Sequence, residues 1–222
     1  AAKIQFVDLD GDYHNEIIGS YKDGSDIQTI LLKKDNGIWI KIAEVRSCNC
    51  DTVSYRGFSN ITGEKQKQLL LGVSSEGKPR TLYVYSLKEG TFNEIFSQDY
   101  YRFGIIKNRD KKRNDSKPQL ALWYKNDSNS FDIDLLEWNN SAFKAAGNVS
   151  DYYYNEVVPY CAGLVKQSPY SPDKWYCFAD ALFKAQMYRD SLTAIQLGMS
   201  VDKNNEYTDK FKLLQNDVRA NM

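Results

Sequence analysis

The sequence predicts a mainly β chain with an α-helical C-terminus: three four-stranded antiparallel sheets in succession, then a helical hairpin and a third helix. Two observations predict the sheets and a third predicts the helices. The segments IQTILLKKDNGIWIKI (27–42), RTLYVYSLKEGTFNEI (80–95) and FDIDLLEWNNSAFKAA (131–146) superpose without a gap, so the chain repeats about every 52 residues. Two shorter apolar runs precede each segment, which makes four strands per repeat. The character changes after Asn148, and from Ser171 the apolar residues recur with the 3.6 period of a helix.

IQFV (4–7), YRGF (55–58) and FGII (103–106) are the first strands; EIIGSY (16–21), QLLLGV (68–73) and QLALWY (119–124) are the second. The third and fourth strands form a hairpin whose turn falls at Asn36-Gly37, Glu89-Gly90 and Asn140-Ser141, with Asn and Gly suited to the positive φ of a tight turn. Trp39, Phe92 and Phe143 fall at one equivalent position. The β region is placed at 1–148, with repeats at about 3–46, 53–98 and 103–147, followed by an aromatic-rich connector at 149–170 and a helical segment at 171–222. Ser171 is the expected N-cap, Pro172 suits the first helical position, and Asp173 sits in the first turn. Tyr207, Phe211, Leu214 and Val218 share one face of the third helix, which covers the open side of the hairpin.

Four-strand units at this period are the mark of propeller blades, and three blades make only a partial propeller. Its open ends call for cover from blades N-terminal to Ala1, from a second chain that makes an oligomer, or from the C-terminal segment. The abrupt change after Asn148 favours the last.

The run FVDLDGDYHNEIIG resembles the FG-GAP or VCBS type of repeat found in integrin α chains and many secreted bacterial proteins. The resemblance extends over about 3–147 and is carried best by the first repeat. It implies blades whose first loop, between the first two strands, often holds calcium. The run 175–205 resembles a single tetratricopeptide repeat, with Trp175, Phe178, Leu182, Tyr188 and Ile195 at packing positions and Ala179 at the small one. Ser191 and Gly198 stand where that pattern has alanine, and Lys203 where it has proline.

Calcium takes six to eight hard oxygen ligands, and carboxylates spaced two apart on a curled loop converge on one point. Asp8, Asp10, Asp12 and Glu16 fit this, with Gly11 permitting the turn and Tyr13 standing where the family usually has glycine. The same residues also suit a plain turn, in which the carboxylates cap backbone amides. The second loop, with Asn60, Thr62, Glu64 and Gln68 at equivalent places, has lost most of the charge. In the third, Asn108 and Asp110 are followed by Lys111, Lys112 and Arg113, which repel a cation.

The chain has 29 basic and 29 acidic residues, so no global field draws it to nucleic acid or to an anionic membrane. No apolar run is long enough to span a bilayer. The single histidine, His14, lies in the first loop, which argues against a His-based triad and against a Cys/His zinc site. Cys161 and Cys177 flank a loop and are placed to bridge, whereas Cys48 and Cys50, one residue apart, read as free thiols. The expected role is a noncatalytic extracytoplasmic binding or scaffold protein, with a leader segment removed. The alternative is an accessory repeat region of a larger secreted or surface enzyme. A protein or glycan partner is expected on the blade surfaces and on Tyr152, Tyr153, Tyr154 and Tyr170 near the junction, because tyrosine joins an apolar ring to a polar tip.

Overall fold

The structure is a computed structural model that describes residues 4–107, 117–126 and 130–222. The third-loop residues Asn108, Asp110, Lys111, Lys112 and Arg113 lie outside the described residues. The chain divides into a β unit, Ala1–Asn126 with Phe131–Ala146, and a helical unit, Gly147–Met222 with Asp127–Ser130.

The β unit holds three open four-stranded antiparallel sheets, each with its strands in sequence order. The first contains β1 (Ile4–Val7), β2 (Glu16–Asp23), β3 (Asp26–Asp35) and β4 (Ile38–Ser47). The second contains β5 (Thr52–Ser59), β6 (Gln68–Ser74), β7 (Arg80–Lys88) and β8 (Thr91–Tyr100). The third contains β9 (Arg102–Ile106), β10 (Gln119–Lys125), β11 (Phe131–Asn139) and β12 (Ala142–Ala145). The hairpin turns fall where the repeat places them, with positive φ at Asn36 and Gly37, at Glu89 and Gly90, and at Asn140. A register shift follows Leu31 on β3 and recurs after Val84, its counterpart on β7, so the repeat extends to the irregularities.

The sheets stack face to face. Ile18, Leu31 and Ala43 of the first sheet meet Leu69, Leu71 and Tyr85 of the second. The opposite face of the second sheet places Leu70, Leu82 and Val84 against Leu120 and Leu122 of the third. Successive side chains of a strand point to opposite faces, so β6 feeds both clusters and reads as an unbroken apolar run. Each fully buried leucine there contributes about 2 kcal/mol. β2 is covered on one face only, and its burial alternates accordingly.

The helical unit contains α1 (Ser150–Tyr152) and α2 (Val158–Gln167), joined by the π-helical turn Tyr153–Val157 into one run, then α3 (Pro172–Lys184), α4 (Tyr188–Val201) and α5 (Thr208–Ala220). The first run occupies the segment expected to be only a connector. Its buried stripe is Tyr153, Val157, Cys161 and Val165, at a helical spacing. The wider π turn ends at Val157, two residues before Pro159, which has no amide hydrogen for the Asn155 carbonyl. Ser171 is the N-cap of α3, but its hydroxyl bonds the Asp173 carboxylate, and no side-chain cap bond to the backbone forms.

Phe211, Leu214 and Val218 of α5 pack with Ala179, Leu182 and Ile195 of the hairpin. Ser191, unlike alanine, brings a hydroxyl into this core, and it donates to the Ala179 carbonyl at 2.8 Å. Asp202 replaces a proline-type stop by accepting from the amides of Glu206 and Tyr207, both at 3.0 Å, which fixes the turn into α5. The disulfide Cys161–Cys177 ties α2 to α3.

Two helical glycines should respond in opposite ways to alanine. A methyl group at Gly198 would run into the Phe211 ring and lie 2.9 Å from Trp175 Cβ, whereas nothing lies within 4 Å of one at Gly163. Gly198→Ala is expected to cost about 1–3 kcal/mol by overpacking, and Gly163→Ala to add about 0.5–1 kcal/mol by helix propensity. Denaturant unfolding of the two variants checks both signs.

Candidate functional site

The loop between β1 and β2 is shaped by its own carboxylates. Asp8 Oδ1 accepts from the Gly11 amide at 2.8 Å, Asp10 Oδ1 from the Asp12 amide at 3.2 Å, and Asp12 Oδ1 from the His14 amide at 2.8 Å. These are local side-chain turns of the kind aspartate favours. The backbone turns left-handed at Gly11 and again at Tyr13, where φ is 69°. A β-carbon there costs about 1–2 kcal/mol, which is why glycine suits the position. The Tyr13 ring, 93% exposed, packs on nothing that offsets that cost.

Glu16, the first residue of β2, is fully buried. Its Oε2 accepts from the Leu9 amide at 2.8 Å, which holds the loop down on the sheet. In the second sheet Gln68 does the same with a neutral group: its Oε1 accepts from the amides of Ile61 and Thr62 at 2.8 and 3.1 Å. Glu16 therefore has a structural task that needs an acceptor but no charge. Its other oxygen, Oε1, is buried with no hydrogen-bond partner.

The residue that sequence reasoning missed is Lys33. Its ammonium bonds Asp10 Oδ2, bonds Asp12 Oδ2 at 2.7 Å, and stands 3.9 Å from Glu16 Oε1. Ile27, Thr29 and Leu31 alternate along the core-facing side of β3, and Lys33 is the next residue in that phase. A charge at a core-facing position calls for a counter-charge, so the signal was present in the pattern. Lys33 holds the Asp12 carboxyl down at about 2, with help from the His14 amide. Asp10 and Asp12 in turn raise the Lys33 ammonium above its ordinary range. Burial raises the Glu16 carboxyl, opposed by the Leu9 amide.

Of the four expected calcium ligands, Asp8, Asp10 and Glu16 each bring an oxygen within 4.8 Å of the others, and Asp12 stands outside that group with Lys33. Three hard anionic oxygens at this spacing fit a divalent cation in chemistry. The ammonium bonded to Asp10 is the competitor such a cation has to displace.

The four tyrosines fare differently. Tyr153 is buried, with Lys184 Nζ 5.3 Å from its ring centre, and Tyr152 is half-buried. Tyr154 is 57% exposed and Tyr170 85%. Trp175 Nε1 donates to the Pro169 carbonyl at 2.8 Å, which anchors the turn that carries Tyr170. Cys50 is a buried thiol and Cys48 an exposed one. A cleft of about 580 Å³ between the first two sheets is lined by Gln5, Ser20, Lys22, Asp51, Tyr55 and Arg56. Its charges serve the walls: Arg56 donates to Gln5 and Ser20, and Lys22 to Asp51.

No family model matches this chain, and no curated protein matches it at a significant level.

Glu16→Gln should keep the tie to Leu9, whereas Glu16→Ala should cost about 2–4 kcal/mol through an unpaired amide and a cavity. The pH dependence carries the sign of each shift. The folded chain holds the Glu16 proton more tightly than the unfolded chain, whose ordinary value is 4.5, so charge at Glu16 opposes folding as pH rises above that value. Glu16→Gln should therefore gain stability relative to the parent over that rise. Asp12 has the opposite sign: its contribution is present above 3.8 and is lost as pH falls through about 2. Asp12→Asn should remove that part of the acid sensitivity, read from thermal melts at stepped pH.

Proposed function

We propose that this chain is a noncatalytic binding protein that works outside the cytoplasm and engages a protein, or a glycan on one, through exposed tyrosines of the helical unit and through its blade surfaces. The observation that supports this reading is the exposure of Tyr154 and Tyr170 on a helical scaffold pinned by a disulfide. Rigid aromatic anchors of this kind supply much of the energy of specific interfaces. Tyr154→Ala and Tyr170→Ala should each reduce capture of the partner from envelope extract. Both should leave the melting temperature within about 2 °C, as expected of surface substitutions. Equal capture by both variants removes these tyrosines from the interface, and turnover of a small molecule by the purified chain overturns the class.

The same reading assigns calcium to the first loop, held by Asp8, Asp10 and Glu16 in competition with Lys33, and with Asp12 freed to join when the ammonium leaves. Lys33→Met should lower the melting temperature in chelator, because Asp10 and Asp12 lose their counter-charge, and calcium should restore it. It should also bind calcium about tenfold or more tightly than the parent, since no cation has to be displaced. Asp10→Asn should abolish binding. Calorimetry with no heat for either the parent or Lys33→Met at millimolar calcium leaves the loop as a turn alone.

A further inference from the structure

The first sheet has a second face, turned away from the second sheet. Two rows of cross-strand partners define it: Phe6, Ile17, Leu32 and Lys41, then Ile4, Gly19, Ile30 and Glu44. The row between them, Gln5, Ile18, Leu31 and Ala43, points the other way, with Ile18, Leu31 and Ala43 in the core shared with the second sheet. Trp39 flanks one end and Tyr21 and Arg46 the other. The residues at equivalent register in the second sheet, among them Phe58, Leu69, Leu71, Tyr83 and Tyr85, pack against the first sheet. On the first sheet this packing face is open: Phe6 is 66% exposed, Ile4 64%, Tyr21 47% and Trp39 40%.

We propose that two copies of this chain pack face to face through this surface, about a two-fold axis that lies between the sheets and crosses the strands at the Gln5 to Ala43 row. Such an axis exchanges the two rows. Phe6 then lies over the partner's Ile4, Leu32 over the partner's Ile30, and Ile17 over the partner's Gly19. Gly19 has nothing within 4 Å of where a β-carbon would stand, so it offers the gap that Ile17 fills. Lys41 faces the partner's Glu44, and Trp39 faces the partner's Arg46, a cation over an aromatic ring. The surface is thus complementary to itself in shape and in charge, as an isologous interface has to be. With four large apolar side chains 40–66% exposed and a polar rim of Lys34, Lys41 and Glu44, the face can approach the roughly 800 Å² per partner of a stable interface. Contiguous apolar exposure of this kind marks an interaction surface.

The test is the oligomeric state of the full chain by sedimentation equilibrium at tens of micromolar. The parent is expected to be a dimer. Phe6→Glu should weaken it roughly 30-fold or more, as the loss of a central anchor does. The substituted side chain is exposed in the single chain, so the thermal melt of the monomer should be preserved. Lys41→Glu and Glu44→Lys, also at exposed positions, should each weaken the homodimer through like charges across the axis. A mixture of these two should recover association, because each then meets its opposite. A parent that stays monomeric, a dimer indifferent to Phe6→Glu, or a mixture with no recovery overturns the proposal. The open face then belongs to a different partner or to none.

Discussion

A four-stranded antiparallel sheet has two faces, and whatever is apolar on either has to be kept from water. That constraint shapes the β unit. The second sheet lies between the other two, so β6 is buried on both sides and its sequence, QLLLGV, lacks the alternation of a half-buried strand. β2 performs the same task in a sheet covered on one side, and EIIGSY alternates in burial along its length. The hairpins follow from the same requirement. If β4 or β8 slipped by one residue, its inward set would turn outward, so the turns at Asn36-Gly37 and Glu89-Gly90 and the matched register shifts fix the phase.

Holding the first loops of the first two repeats onto their sheets raises a separate problem, because their amides enter the core beside apolar side chains. One buried acceptor at the start of the second strand solves it. Gln68 does so without charge, and its Nε2 also donates to the Gln66 carbonyl at 3.1 Å. Glu16 does so at the expense of a buried carboxylate, and the consequence extends to β3, where Lys33 occupies a core-facing position to balance it. An amide in one repeat and a carboxylate with its lysine in the other are alternative answers to one demand. The charged answer brings Asp8 and Asp10 close to Glu16, and Asp10 and Asp12 onto Lys33.

Repetition made the β unit legible from sequence, because each strand could be checked against two others. The positive φ at Asn36, Glu89 and Asn140 falls where superposition of the repeats put it. The helices from Pro172 onward were legible from Ser171, Pro172 and the change of period. The run from Ser150 to Gln167 was not, since Tyr152, Tyr153 and Tyr154 in succession and Pro159 within it mask the four-residue spacing of Tyr153, Val157, Cys161 and Val165. At the candidate site the four acidic residues were legible, but the cation beside them was not. Lys33 lies 17 residues beyond Glu16, on another strand, and only the phase of β3 connects them.

The contest between a turn and a cation site at Asp8 to Glu16 is less sharp than it looks, because a carboxylate has two oxygens. Asp10 Oδ1, Asp12 Oδ1 and Glu16 Oε2 are all occupied by backbone amides, which accounts fully for the turn. The remaining oxygens, Asp10 Oδ2, Asp12 Oδ2 and Glu16 Oε1, face Lys33. A loop that only reversed the chain would turn those spare oxygens to water, where they are solvated at no cost. Here three carboxylates surround one ammonium, and a single positive charge does not neutralise them. Burial first, and then the Asp10 charge, raises the affinity of Glu16 for a proton. Turn geometry and electrostatic appetite thus belong to different atoms of the same side chains. Substituting Lys33 separates them, since it leaves every backbone bond of the turn in place.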